Sequence, residues 1–478
     1  MKTALTIAAE EWRYWIRSKL ALAVIALFAV MLVSVSWVTV LRMQAASAEL
    51  DHHQAEAEET FVAQPDRNPH RMVHYGHYVF RSPVPLASFD PGLDSVTGQA
   101  MFLEGHRQNS ATFSASAASG DPGGLSWLTP ALTYQVFAPL LLILLGHSAV
   151  VREREARVLP SLLAQGVSGR SLMAGKILAL LVFILLLLVP LGVIALLAVT
   201  TGESLMAAAA LVGVYFLYLS VWGGITVLLS SAFSKRSSVI AALAAFWLMV
   251  TLVLPSIAVN VASVTAPLAG KIEMELAMLT EQKDLSDGHS VSNSQVEQLS
   301  AELFQQYGVN RLEDLEINIR GLLAQKAEEK LTLAMNAYAD KRMASELRQT
   351  ELLTAQGWLT PMIAVAAASR AISGTDMQHY HRFLRQAEEL RYDFVQDINQ
   401  VHAEQLSYVD DINRNRDEES YNRSRVDAAN WQLLDEFRFD TASASSRLAS
   451  AGTPIGMLLF WLAVLFALLT WTGGRLKP

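Results

Sequence analysis

Six apolar runs, each roughly 20 residues or a little longer, govern what this chain can fold into: 20–41, 130–151, 177–200, 205–233, 239–258 and 453–472. At 1.5 Å per residue such a run crosses a hydrocarbon core of about 30 Å. In lipid a single segment satisfies its own backbone only as a helix. The expectation is therefore an all-α membrane protein with six transmembrane helices. Of the 478 residues, 52% are hydrophobic and 17% charged, an average that hides sharp alternation between apolar spans and polar excursions. The first run is too long for a signal-peptide core and lacks a convincing small-residue cleavage site, so it reads as a retained helix.

The polar segments are of two kinds. Short ones are basic: residues 1–19, where Trp12, Tyr14 and Trp15 stand among Arg13, Arg17 and Lys19; the loop 152–176, with Arg152, Arg154, Arg157, Arg170 and Lys176; the turn at Lys235 and Arg236; and the tail 473–478 with Arg475 and Lys477. Basic short loops mark the cytoplasmic side, so both termini are expected there, with 1–19 as an interfacial helix. Spans three and four form a tight hairpin over 201–204, containing Glu203, on the opposite side. Pro190 and Gly192 predict a kink in span three. Gly213, Gly223 and Gly224 allow close packing of span four.

Two long segments, 42–129 and 259–452, face the other side and are expected to make one extracytoplasmic domain, mainly helical and partly irregular. The first opens with an acidic, helix-like stretch (Glu49, Asp51, Glu56, Glu58, Glu59) and then becomes rich in Pro and Gly, which break helices. The second carries helical periodicity over 313–348 and 383–408, whereas 410–427 reads as a solvated helix face or a flexible arm. Trp127-Leu128-Thr129-Pro130 recurs as Trp358-Leu359-Thr360-Pro361, and the second copy is expected to head an interfacial helix at the outer membrane surface.

Several chemistries are excluded or disfavoured. A net charge of −8 gives no support for nucleic-acid binding. Without cysteine there is no disulfide, thiolate catalysis or zinc–thiolate site. Gly175-Lys176 is no phosphate loop, because Arg170 stands at the required first glycine and Ile177 at the Ser/Thr position; no cofactor is expected in this chain. No Ser–His–Asp arrangement can be argued. Glu388-Glu389 and Asp410-Asp411 read as helix surface, and His147 as an interfacial group. With Glu203 in a loop and no buried acid–base pair in view, an ion pathway is disfavoured. His52, His53, His70, His74, His77, His106, His379 and His381 gather in the two excursions. Pro69 and Gly76 are expected to keep His70, His74 and His77 off a common helix face, so no metal site is predicted. His74, His77, His106 and His379 are the positions from which one would be built.

In the loop 152–176, Leu159, Leu162 and Leu163 give a short helix one apolar stripe beside the charges, which suits docking into a cytoplasmic partner. The run Arg152-Glu153-Arg154-Glu155, with Leu159, Leu162-Leu163, Gly166-Val167-Ser168 and Gly175-Lys176, resembles the coupling loop of the permease subunits of type-2 ABC transporters. His74-Tyr75-Gly76-His77-Tyr78, Ser82-Pro83, Pro91-Gly92-Leu93-Asp94, Phe102–Asn109 (including Glu104, His106, Gln108 and Asn109) and Ser373-Gly374-Thr375-Asp376 with His379 and Phe383 resemble a subfamily with a large outer domain of unassigned function. Arg157 stands where such proteins usually have glycine.

The resemblance implies a bacterial inner-membrane protein paired with a second permease copy or homologue. Separate cytoplasmic ATPase subunits would bind ATP and magnesium. Arg152, Glu153, Arg154, Glu155, Leu159, Leu162, Gln165, Arg170, Lys235 and Arg236 are the implied ATPase contacts. ATP hydrolysis would then drive export of a lipid-like, peptide or protein-borne substrate. Alternatively it would move the outer domain against a periplasmic partner. A periplasmic metal-handling membrane protein is the third reading.

Overall fold

The computed structural model describes residues 2–114, 128–270, scattered positions within 273–280, and 293–476. Trp127, the first residue of the repeated tetrapeptide, lies outside them. Six helices are long and apolar enough to cross a membrane: Ile25–Val62, Pro130–Glu155, Gly169–Thr200, Leu205–Ala232, Arg236–Thr265 and Ala444–Arg475. The chain is thus a helical membrane protein with one continuous apolar core that includes Leu142, Ile184, Leu191, Tyr215, Trp222 and Leu458. One end of the bundle carries the short loops and the other carries a large polar domain; these are called the loop face and the domain face.

Span one differs most from expectation. It does not stop near residue 41 but continues as a single helix, Lys19–Val62, whose 44 residues make a rod of about 66 Å. The acidic stretch is its polar continuation and carries the chain into the domain. The last helix likewise begins before its apolar run, at Ala444. Span three breaks between Gly169–Leu187 and Val189–Thr200, with Pro190 in the first turn of the second piece, so the expected kink is made by proline. Spans two and five each contain a π-helical turn, Thr133–Phe137 and Met249–Val253.

The repeated tetrapeptide has a structural meaning. Thr129 and Thr360 each cap a helix with the side-chain oxygen, and Pro130 and Pro361 follow at positions where a missing amide hydrogen costs nothing. The second helix, Pro361–Ser373, corrects the expectation of a surface helix. Ala364, Val365, Ala368 and Ile372 are fully buried, and the helix packs against Leu205–Ala232 and Ala444–Arg475. Ser369 meets the Tyr215 hydroxyl at 3.1 Å. Its small residues permit this, because Ala and Ser let helix backbones approach closely.

In the domain, Ile319–Ala355 and Met377–Gln405 lie antiparallel, joined by contacts that descend one helix as they climb the other: Gln325 with Gln400 at 2.9 Å, Asp340 with Arg385 at 2.8 Å, Glu346 with His381 at 2.6 Å. Gly321 is required at one crossing, since a Cβ there would come within 2.4 Å of the Ala403 nitrogen. The described part of the first excursion carries more regular structure than its Pro and Gly content predicts. It folds a small antiparallel sheet, β1 (His77–Phe80), β2 (Gly98–Leu103) and β3 (Thr112–Ser114), in that order. Val79, Met101 and Leu103 of the sheet pack on Phe383 and Leu384 of the second excursion, so both excursions share one core.

Candidate functional site

At the loop face, the segment between spans two and three is a defined turn–helix–turn. Helix Val151–Glu155 ends in a turn where Arg157 adopts φ +57°; helix Leu159–Ala164 follows; Gly166 turns again at φ +89°; and Ser168 caps helix Gly169–Leu187. The left-handed turn at 157 favours glycine, and here arginine occupies it.

The structure separates the implied contact residues into two groups. Arg152 and Glu153 belong to an internal cluster: Glu11 of the amino-terminal helix Lys2–Arg17 binds both Arg152 and Lys176, and Lys176 also binds Glu153. Lys176 and Glu11 are nearly inaccessible, with side chains 1% and 3% exposed. Arg154 and Glu155 brace the next turn. Arg154 donates to the Phe233 carbonyl at 2.6 Å, while Glu155 accepts from the Arg236 backbone amide at 2.7 Å and forms an ion pair with the Arg236 side chain at 2.8 Å. Leu159 is buried and Leu162 half-buried. Of the implied contacts, Gln165, Arg170 and Lys235 are left on the surface, beside the exposed Arg157 and the exposed Val158, which was not among them. Gly169 lies against the Gly473 carbonyl of the last helix, where a Cβ would approach to 2.3 Å. The amino-terminal helix is equally close, since a Cβ on Gly175 would meet Ile7 at 2.6 Å. The loop is therefore fastened to the first helix, to the span-four turn and to the last helix.

At the domain face, motifs from both excursions meet. Leu93 donates its amide to the Thr375 carbonyl at 2.9 Å, and Thr375 Oγ1 donates to the Asp90 carbonyl at 3.0 Å. Gly92, at φ +46°, has no room for a side chain against Thr375. Gly374, at φ +66°, closes helix Pro361–Ser373 and backs onto the His379 ring. Asp376 caps the next helix by accepting from the His379 amide at 3.0 Å. Asp94 pairs with Arg81 at 3.0 Å, and Arg81 also lies over Tyr380 and Phe383. Burial raises the Asp94 carboxyl from 3.8 to about 6 despite Arg81, and burial likewise raises Asp90 and Asp376. His379 is lowered to about 4 by burial, helped by Arg447.

Beside this cluster Glu203 pairs with Arg447, both buried, and Arg447 also donates to the Ile372 carbonyl at 2.9 Å. Buried ion pairs thus exist at both ends of the bundle, contrary to the expectation that none would be found. No local pattern announces Glu203–Arg447, because one member lies in the turn between spans three and four and the other in the last helix.

The remaining motif residues are structural. Gly76 turns at φ +66° onto Phe102, and Tyr75 accepts from Gln64 at 2.9 Å. Pro83 is half-buried before a short 3-10 turn, Pro85–Ser88. Asn109 donates to the Phe102 carbonyl at 3.0 Å and to Glu104 at 3.2 Å, closing a turn that presents His106. Gln108 meets Asn336 at 3.3 Å.

Within the domain, His106 Nδ1 lies 2.7 Å from Glu328, which also binds Arg391; Arg391 in turn holds Glu388 at 2.7 Å. Burial would raise Glu328, but His106 and Arg391 outweigh it and hold the carboxyl at about 2. Glu388 and Asp411 correct a sequence reading. Both are buried, Glu388 against Arg391 and Asp411 against His402 at 2.9 Å, and neither lies on a solvated helix face.

Residues 271–440, about a third of the chain, match a family described as a domain of unknown function, DUF3526. Among curated proteins, nothing matches this chain.

Proposed function

We propose that this chain is the membrane-spanning permease subunit of an ATP-driven ABC transporter of the type-2 membrane class, set in a bacterial inner membrane with both termini cytoplasmic. Hydrolysis would occur in separate ATPase subunits, and a second permease copy or homologue would complete the complex. The observation that best supports this reading is the build of the 152–176 loop. An exposed turn and short helix are anchored through Arg154, Glu155, Glu11 and Lys176 to three other segments, so a push on the exposed part reaches several spans together. The docking surface in this reading is Arg157, Val158, Gln165, Arg170 and Lys235; Arg152 and Glu153 serve the anchor.

Motion would pass along the continuous helices Lys19–Val62 and Ala444–Arg475 into the domain. Those rods favour, as a second reading, a mechanotransmitter that moves a periplasmic partner without substrate crossing the membrane. Export of a substrate through the spans is the leading outcome.

The test uses the complex purified in detergent with its ATP-hydrolysing subunit. Val158, 45% exposed in the loop, is changed to Asp. The expected result is at least tenfold weaker association, about 1.4 kcal/mol, with the permease still folded. Glu155→Ala, which loosens the brace, is expected to keep the subunit bound while reducing stimulated hydrolysis. Normal association and hydrolysis in both variants would show that the loop is a topology signal only.

A further inference from the structure

We propose that His70, His74 and His106 form a binding site for a late first-row divalent cation, zinc or copper(II), on the surface of the domain. Each residue offers a ring nitrogen, and these three atoms lie within 4.8 Å of one another. Their ring centroids are 4.8 Å (His70–His74), 5.2 Å (His74–His106) and 5.7 Å (His70–His106) apart. Sequence spacing pointed elsewhere. Pro69 does not disrupt a helix here but starts one, with Asn68 as its cap, so Pro69–Val73 and the capping residue His74 place two imidazoles four apart on one turn. His77 is buried away from this trio and His379 lies in the domain-face cluster.

The third histidine is delivered by the 104–109 turn. Gly105 donates its amide to the Val73 carbonyl at 3.0 Å, and any Cβ on it would collide with Val73 at 2.0 Å. This close approach seats His106 beside His74. His106 itself takes φ +63°, a conformation uncommon outside glycine and informative when the surroundings enforce it. Its Nδ1 lies 2.7 Å from the Glu328 carboxylate, so a neutral ring with its proton there would present the Nε2 lone pair. A carboxylate behind a ligating imidazole is the usual support in metal sites, orienting the ring and raising its basicity. Behind the trio, Arg391 pairs with both Glu328 and Glu388 and so holds the Glu328 carboxylate against His106.

The donor set is three imidazoles, the chemistry that zinc, copper(II) and nickel prefer over magnesium or calcium. Metal–nitrogen bonds of about 2.0–2.1 Å require closer nitrogens than the present spread. His74 is exposed and His70 half-buried, so both rings can close on the buried His106. Three protein ligands with one position open to water describe an exchangeable site rather than a closed structural one.

The test is zinc titration of the full chain, purified in detergent and stripped with chelator, against a chromophoric competitor. One tight equivalent is expected in the wild type and in His53→Gln, and its loss in His74→Gln and His106→Gln. Glu328→Gln should retain the stoichiometry and weaken affinity about 10- to 100-fold. X-ray absorption of the zinc form should show imidazole ligands at about 2.0–2.1 Å, and copper(II) should compete for the same equivalent. Because His74 is exposed, His74→Gln decides the matter even if His106→Gln fails to fold. Unchanged tight binding in His74→Gln, or its loss in His53→Gln, would overturn the site in favour of surface-histidine binding. Absence of a tight equivalent in the wild type would leave the trio a hydrogen-bonded structural cluster and overturn the proposal too.

Discussion

Both ends of the bundle bury ion pairs, but only the domain face also buries carboxyls raised well above their usual range. At the loop face, Glu11 and Glu153 are matched by Lys176 and Arg152. At the domain face, Asp94 pairs with Arg81, Asp90 feels Arg370, Asp376 caps a helix, and all three carboxyls are nonetheless raised by burial. A balanced cluster behaves as a permanent fastener, because removing any member strands a charge in a medium that cannot solvate it. A carboxyl that burial has already raised has another recourse: it takes up a proton. The loop face is thus built to hold geometry, and the domain face to respond to its surroundings.

The largest effect is expected from Lys176→Met, which leaves the buried Glu11 and Glu153 with Arg152 alone and should cost about 3–5 kcal/mol, read as thermal unfolding in detergent. Arg81→Met should cost less, about 1–3 kcal/mol, because Asp94 can protonate. That penalty should shrink as pH falls through about 6, the value to which Asp94 is raised, whereas the Lys176→Met penalty should persist. Equal pH behaviour in the two variants would erase the distinction between the ends.

Of similar size is an acid effect within the domain. Burial lowers His77 from 6.5 to about 4. Between those values the unfolded chain binds the proton and the folded one does not, so stability falls as pH drops through that window. The full contribution approaches roughly 3 kcal/mol. The wild type should lose more stability than His77→Phe between pH 6.5 and 4; parallel curves would mean that His77 is not held neutral.

The smallest effect concerns the turn at 157. Arg157→Gly relieves a left-handed backbone but adds unfolded-state freedom, so the net gain should stay within about 1 kcal/mol. If stability rises while stimulated ATP hydrolysis falls, the arginine charge acts on the docked subunit. If hydrolysis is unchanged, the residue only completes the turn.

Legibility differed by region. Apolar runs announced the spans, since hydropathy is a local property, and Pro190 announced its kink for the same reason. The cap at Thr360 was visible as a repeated tetrapeptide, but its helix was assigned to the surface because a 13-residue apolar segment is too short to span. What buries it is packing against two other helices. Glu388 and Asp411 look like solvated carboxylates because charge normally lies outside; Arg391 stands three residues from Glu388, but its burial against Glu328, and the meeting of His402 with Asp411, are set by the tertiary structure. In the histidine trio, Pro69 was read as a breaker when its place at the first turn of a helix made it a starter.

From its sequence alone, then, this protein was determined to be a helical, multi-span membrane protein with basic short loops and two large polar excursions. Burying about 20 apolar residues in lipid leaves few other solutions. Only the tertiary structure decided which charges are internal and which histidines meet. Ion pairs such as Glu203–Arg447 and contacts such as His74–His106 join residues far apart in the chain, and their energies depend on distance and burial, which no local pattern encodes.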